Sequence, residues 1–386
     1  MTFENAELLH YYLRRVIPNL VSIDGETEPV VWKNNVLPWQ LQSPLMPQIA
    51  LLMAATTRGL ERGTMKDTFA IKAKVLNCIN AYLATSTPVT FQAVAAEAVG
   101  CIMSMVVTEW FWGSEEGMRA HHRGIKELII LCGGISRLND AVRRSITVLT
   151  DYEIACGFEE DLCWQQGDPM YKQAWVVPIS WPAGFDSPLV DSPYTFREKQ
   201  AELGITSSAA AILDDVRFLT NSITALTSAT PASKLKIQTT ASWLHRRLKE
   251  ASATEKNGAP DALAETVRLA GLVHSYSIMT ITPFSQYPDL SVLAALSDAA
   301  LRVPLTTWRD IPGIYLWVLL VLCPSTKADM RGKYIRRKMA TTGLSIGFED
   351  FIFSIGCLRS CWQVQRWIAH GGDTLCWLTG QTTEFD

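Results

Sequence analysis

Three acidic side chains stand where they could bind a divalent metal ion. Asp151 and Glu153 lie in the segment VLTDYEIACGF, and Asp215 lies in ILDDVRFLTNS, where it flanks the apolar face of a helical pattern. Glu153 continues an apolar stripe, and a carboxylate there is costly to bury unless it is paired with a base or bound to a metal ion. Carboxylate oxygens are preferred ligands of Mg²⁺. The pattern therefore indicates two alternatives: metal ligands, or acids neutralised by arginines.

Basic side chains in the second half of the chain could bind phosphate groups. Arg268 and His274 share the helical segment ETVRLAGLVHSYS, but Glu265 lies three residues before Arg268 and could pair with it. A histidine on an apolar helix also fits a core position. Lys333 and Arg337 belong to the densest basic segment of the chain, 333–338. This segment could hold a phosphate or form a solvated helix face.

Aromatic residues are abundant and could line an apolar cavity. The chain has 13 tryptophans, 13 phenylalanines and 10 tyrosines, and Trp110, Tyr276, Trp308 and Trp317 lie in nearly apolar helical segments. Aromatic faces stabilise cations through the ring quadrupole. Ordinary core packing is the alternative for each of these side chains.

The elements that must position these residues are predicted to be helices. Apolar residues recur at helical spacing along most of the chain, and Gly133-Gly134 predicts a left-handed stop for the helix that ends near Cys132. Residues 160–205 lose this period and form a long proline-punctuated connection, of a kind that often serves as a lid. We therefore predict one all-α domain over 1–386, with two helical halves, 1–159 and 206–386, as the alternative.

Composition excludes several classes of protein. Hydrophobic residues make up 48% and charged residues 19% of the 386 residues, which is too apolar for a disordered chain. A net charge of -3 argues against nucleic-acid binding by the chain as a whole. The segment 311–323 is apolar but too short to span a membrane, so it predicts a buried core helix. Nine scattered cysteines without paired CxxC motifs predict reduced thiols in the cytoplasm or nucleus.

Several segments resemble the fungal-specific transcription-factor domain. The clearest is MRAHHRGIKELIILCGGISRLND at 118–140, and the likeness extends through the next helix, 212–220, 265–279 and 343–368. In fungal regulators this domain normally follows a basic DNA-binding segment in which six closely spaced cysteines hold two zinc ions. Here no cysteine precedes position 78. The stand-alone helical body is also similar to noncanonical humulene-type sesquiterpene cyclases.

The resemblances imply two functions of different classes. As a cyclase, which we favour slightly from the sequence, the chain would bind farnesyl diphosphate and Mg²⁺. Asp151, Glu153 and Asp215 would hold the metal, Arg268 and His274 would be catalytic, and Arg268 or the segment 333–338 would receive the diphosphate. The predicted substrate-binding residues are Trp110, Tyr276, Trp308, Trp317, Lys333 and Arg337. As a regulatory module without its own DNA-binding domain, the chain would act through partners. The cyclase would be cytoplasmic and the regulator nuclear; the oligomeric state is left open.

Overall fold

Helices joined by short turns make up nearly all of the ordered secondary structure. The computed structural model describes residues 3–26, 30–63, 66–138, 141–164, 183–226, 230–251, 255–256 and 259–372. Within these residues the strands are limited to β1 (Glu255–Lys256) and β2 (Ala259–Pro260), which pair antiparallel. The predicted all-α class is confirmed.

The described residues fall into two compact units. The first unit comprises those of Met1–Asp151 and Leu162–Ala174, and the second comprises those of Tyr152–Asp161 and Trp175–Asp386. Helix α8 (Ala141–Phe158) contributes to both units. Whether the chain is one domain or two halves with the boundaries named above stays a prediction.

The first unit is built from seven helices and the start of α8, as far as the structure describes it. Helix α4 packs against α1, α3, α5 and α6, and α6 also packs along α7. Two helices at the start of this unit have proline in the first turn, where it is tolerated, and each follows a π-helical turn, at Tyr12–Val16 and at Trp32–Val36. The helices are α1 (Phe3–Tyr11), α2 (Ile17–Val21), α3 (Leu37–Gln42), α4 (Met46–Arg62), α5 (Lys66–Ala84), α6 (Phe91–Trp112) and α7 (Glu115–Leu131).

Helix α6 is apolar on nearly every side and lies in the core of the first unit. It is the one helix among the described residues that is long and apolar enough to span a membrane, and 72% of its most apolar window is buried. Its two acids are paired, since Arg143 Nη1 lies 2.9 Å from Glu97 Oε2 and Lys72 Nζ lies 2.5 Å from Glu109 Oε1. Burial and pairing of this kind are typical of a core helix.

The second unit contains the helices that follow α8. After the 3₁₀ turn Ala183–Phe185 come α9 (Phe196–Lys199), α10 (Ser207–Thr224), α11 (Pro231–Glu250), α12 (Ala262–Thr280), α13 (Leu290–Arg302), α14 (Leu305–Asp310), α15 (Pro312–Leu322), α16 (Met330–Glu349) and α17 (Phe351–Ala369). Short 3₁₀ turns at Phe284–Gln286 and Cys323–Ser325 complete it. Helices α10, α11 and α13 pack around α12.

Helix α15 occupies the centre of the second unit. Every one of its residues is buried, and it contacts α12, α13, α14, α16 and α17. Pro312 stands in the first turn, where its missing N–H costs no hydrogen bond. The prediction that segment 311–323 is a buried core helix is confirmed.

Part of the predicted connection 160–205 is anchored to α10. Arg217 Nη2 lies 2.5 Å from Asp186 Oδ1, and Nη1 donates to the Tyr194 carbonyl at 2.8 Å. These bonds tie the chain after residue 183 to the helix that carries Arg217. Residues 165–182, where a lid would mostly lie, are outside the described residues.

Candidate functional site

Asp151 is a buried acid with polar partners in the first unit. It is 1% exposed, and its Oδ1 and Oδ2 accept the backbone N–H of Cys163 at 3.0 and 3.2 Å. Oδ1 also lies 3.2 Å from His122 Nε2. The charge of this carboxylate is therefore offset by an imidazole and by an amide.

His122 is the base that neutralises Asp151. Burial lowers the pKa of this imidazole, but its interactions with Asp151 and Cys163 raise it to about 9. The Trp164 ring packs against His122 with 4.7 Å between centroids. Sequence reasoning missed this base. His122 could have been identified from its helical spacing, because it shares the buried face of α7 with Met118 and Ile125.

Glu153 lies in the second unit in a different environment. It is 3% exposed, and its Oε1 has no hydrogen-bond partner within the described residues. Helix α16 approaches it at Gly343, where an added β-carbon would collide with Oε1. Burial raises the pKa of Glu153 well above its ordinary value, so the neutral acid is favoured.

Asp215 pairs with a base in the second unit. Arg247 Nη2 donates to Asp215 Oδ2, and the guanidinium carbon lies 4.7 Å from the centre of the Trp243 ring. The side chains of Asp215 and Arg247 are 23% and 35% exposed. Of the two alternatives for this acid, the pairing with arginine is the one observed.

The donor groups do not fit the predicted Mg²⁺ site. Among the described residues, no three or more histidine, cysteine, aspartate or glutamate side chains are grouped so that they could hold a metal ion. Asp151 faces His122, Glu153 has an unpartnered oxygen in the core, and Asp215 faces Arg247. Magnesium binding therefore stays a prediction, without support from this arrangement.

The two residues predicted to be catalytic lie within the second unit. Arg268 donates to Glu265 through Nε at 2.8 Å and Nη2 at 2.7 Å, so the expected pair three residues apart forms. His274 is 1% exposed, and burial lowers its pKa to about 4. Its Nε2 lies 3.4 Å from Thr220 Oγ1. A buried neutral imidazole and a paired guanidinium are both accounted for by packing; their catalytic roles stay predictions.

The four aromatic candidates pack inside their own units. Trp110 is 4% exposed in the first unit. In the second unit Trp308 stacks on Tyr315 with 4.6 Å between ring centroids, and its Nε1 donates to the Ala300 carbonyl at 3.1 Å. Trp317 and Tyr276 also contact other rings, at 6.3 Å from His274 and 5.0 Å from Tyr287. Core packing describes these contacts, and substrate binding by the four stays a prediction.

The basic segment of α16 is less solvated than a free helix face would be. Lys333 and Arg337 are half-buried, and Lys338 is only 4% exposed. The Arg337 guanidinium carbon lies 5.6 Å from the centre of the Tyr334 ring, and burial lowers the pKa of Arg337. The expectation of a fully solvated face is therefore wrong at Lys338, and phosphate binding at Lys333 and Arg337 stays a prediction.

Comparison with known proteins gives one match. Residues 7–152 match the family model described as the fungal specific transcription factor domain. The predicted resemblance is confirmed over this part, which includes the whole segment 118–140; the likeness at 212–220, 265–279 and 343–368 lies beyond it. Neither the curated proteins nor the solved structures contain a significant match.

Proposed function

We propose that this chain, whose residues 7–152 match the fungal specific transcription factor domain, is a regulatory module that acts through a protein partner in the nucleus. The family match carries the proposal. It covers nearly all of the first unit, in which the buried acids are paired with bases rather than grouped for metal binding.

The electrostatics of the first unit support a packed interaction module. Glu97 pairs with Arg143, Glu109 with Lys72, and Asp151 with His122. Each of these carboxylates is at least nine-tenths buried, so removing its base would leave an uncompensated charge in the core and destabilise the unit.

A reporter assay tests the regulatory role. The full chain is fused to an unrelated DNA-binding domain in a fungal host, and transcription from a matching promoter is measured. We expect the fusion to raise or lower the reporter relative to the DNA-binding domain alone. A reporter that does not change in either direction would contradict the proposal.

Two arginine variants make this assay specific to the folded first unit. Arg143→Ala removes the partner of buried Glu97, whereas Arg119→Ala breaks an exposed pair with Glu115 within α7. The first variant should abolish the effect and the second should retain it, because surface pairs contribute little to stability. Equal reporter activity of the two fusions would contradict a role for this unit.

The cyclase predicted from the sequence is the second candidate, and it would need a role for Glu153, whose buried Oε1 has no partner within the described residues. Farnesyl diphosphate is incubated with the purified protein and either Mg²⁺ or EDTA, and the extract is analysed by gas chromatography. The regulatory proposal predicts that farnesyl diphosphate is not consumed in either incubation. A metal-dependent hydrocarbon product would establish the cyclase instead, if Glu153→Gln abolishes it and Asp298→Asn does not. Asp298, the control position, is an exposed acid paired with Arg331.

A further inference from the structure

Helix α11 (Pro231–Glu250) concentrates positive charge in the second unit. It packs against α10 and α12, and its buried side chains, Ile237, Ala241, Leu244 and Leu248, form one stripe at helical spacing. The rest of the helix has five lysines and arginines and one glutamate, in a chain whose net charge is -3. One helix of an acidic molecule is thus strongly basic on the side that does not face the core.

The outer face of α11 combines exposed bases with large apolar side chains. Leu235 and Trp243 are 65% and 47% exposed, and both lie on the side of the helix opposite the buried stripe. They are eight residues apart, which is about 12 Å along the helix. Lys236 and Arg246 are exposed on the same side, and neither has an ion-pair partner among the described residues. We call these four residues the outer face of α11.

An exposed ring on α10 extends the apolar part of this surface. Six residues separate α10 from α11 and the two helices pack together, so they run in opposite directions. Arg247 of α11 donates to Asp215 of α10. Phe218 lies three residues after Asp215, and Trp243 lies four residues before Arg247, so both rings lie about one turn from this ion pair in the same direction. Phe218 is 60% exposed, and the apolar surface therefore includes both helices.

The charge and polarity of this surface fit an acidic segment that also carries apolar side chains. Carboxylates bring partners to a basic face by long-range attraction, and tryptophan and arginine are the residues that most often dominate binding energy at interfaces. Nucleic acid fits less well, because its binding relies on phosphate contacts, whereas Glu250 is exposed on α11 and the chain as a whole is acidic.

We propose that the outer face of α11 binds an acidic amphipathic peptide segment of a partner protein. Lys236 and Arg246 contact the carboxylates of the segment, and Leu235 and Trp243 contact its apolar side chains. The surface lies in the second unit, beyond the residues that match the family model, and binding there does not require a role in transcription. This site therefore goes beyond the function proposed above.

Two synthetic peptides test which charge the surface selects. The full chain is titrated into a fluorescein-labelled helical peptide that has glutamates on one face and leucine and phenylalanine on the other, and fluorescence anisotropy is measured. The second peptide has lysine in place of every glutamate. We expect the acidic peptide to bind about tenfold more tightly or better, and this preference should shrink at about 1 M salt, where the Debye length is about 3 Å. Equal affinities, no binding of either peptide, or tighter binding of a labelled DNA duplex would overturn the proposal.

Matched variants locate the binding surface. Trp243→Ala should weaken binding of the acidic peptide about tenfold, and Arg246→Glu should weaken it while improving binding of the lysine peptide. Leu301→Ala and Arg302→Glu are the controls, because they change an exposed leucine and an exposed arginine on α13 of the same unit, and they should leave both affinities unchanged.

Circular dichroism checks that each variant is folded. If folded Trp243→Ala and Arg246→Glu proteins bind the acidic peptide as the wild type does, the outer face of α11 is not the binding surface. The assay measures binding without transcription, so its failure would leave the regulatory proposal standing, and an inactive reporter fusion would leave this one standing.

Discussion

Asp151 and Glu153 lie two residues apart on α8 and are both buried, yet they meet opposite surroundings. In the first unit Asp151 faces an imidazole and a backbone amide. In the second unit Glu153 Oε1 has no partner within the described residues, and burial raises its pKa. Position on an apolar stripe therefore does not determine whether an acid is charged; the residues that arrive from other helices do.

The difference also separates two uses of a buried carboxylate. A paired acid is held by the groups around it, as Asp151 is by His122 and by the backbone amide of Cys163. An unpaired acid is retained as a neutral group, and it destabilises the fold whenever it must ionise. The first arrangement fixes the position of the groups that contact the acid, and the second lowers the stability of the fold.

The largest effect is expected when the pair of Asp151 and His122 is broken. Asp151→Asn keeps an oxygen for the Cys163 N–H but leaves His122 buried without its counter-charge. Breaking one side of a buried pair typically costs about 3–5 kcal/mol, and we expect a loss of that size in the free energy of unfolding at pH 7. Urea denaturation measures it. Exposed Asp298→Asn is the control, and a similar small change in both variants would contradict the prediction.

The contact between His122 and Asp151 should also make the stability of the protein depend on pH. The pKa of His122 rises from 6.5 to about 9 in the folded state, so the folded protein binds this proton more tightly than the unfolded chain. The stabilisation is complete below pH 6.5 and is lost as the pH rises through about 9, a change on the order of 3 kcal/mol. Thermal unfolding between these values should show a falling Tm in the wild type and a flatter profile in Asp151→Asn. Parallel profiles would refute the assignment.

Glu153→Gln is expected to increase the free energy of unfolding, whereas Asp151→Asn decreases it. Because the pKa of Glu153 is raised in the folded state, the folded protein holds a proton that the unfolded chain releases above pH 4.5, and stability falls as the pH rises. The amide removes this cost, so the free energy of unfolding at pH 7 should increase by about 1–3 kcal/mol. Glu97→Gln, which changes a buried acid paired with Arg143, should instead lower stability.

The pH profile makes the test of Glu153 sharper. The stabilisation by Glu153→Gln should shrink towards zero as the pH falls to about 4, where the acid is protonated in both states. Chemical denaturation at several pH values measures it. A gain that does not depend on pH would indicate a packing effect rather than a raised pKa.

Helical propensity and continuous apolar runs were enough to predict much of the fold. Segment 311–323 became the buried helix α15 because a run without polar residues can only be placed in a core. Gly133 and Gly134 end α7 with φ values of 84° and 107°, a conformation that glycine adopts without strain. These features depend on residues that are neighbours along the chain.

The electrostatic partners could be predicted only when they were local. Arg268 and Glu265, three residues apart on one helix, pair as their spacing indicates. Asp215 and Arg247 are 32 residues apart, and His122 comes from a different helix than Asp151, so their contact depends on how helices pack. A single sequence contains no such tertiary information, which is why three acids in apolar segments resembled a metal site.

The smallest effect on stability is expected when Asp215 is changed. This variant tests whether solvent exposure limits what an ion pair contributes to the free energy of unfolding. The Arg247 side chain is 35% exposed, and its guanidinium also packs on the Trp243 ring. Water screens a charge pair at this position, so Asp215→Asn should lower the free energy of unfolding by about 1 kcal/mol or less. Urea denaturation with and without 1 M salt, at which the Debye length is about 3 Å, measures the part of the pair's energy that salt screens. A loss as large as that of Asp151→Asn would mean that pairing itself, rather than the burial of the pair, sets the energy.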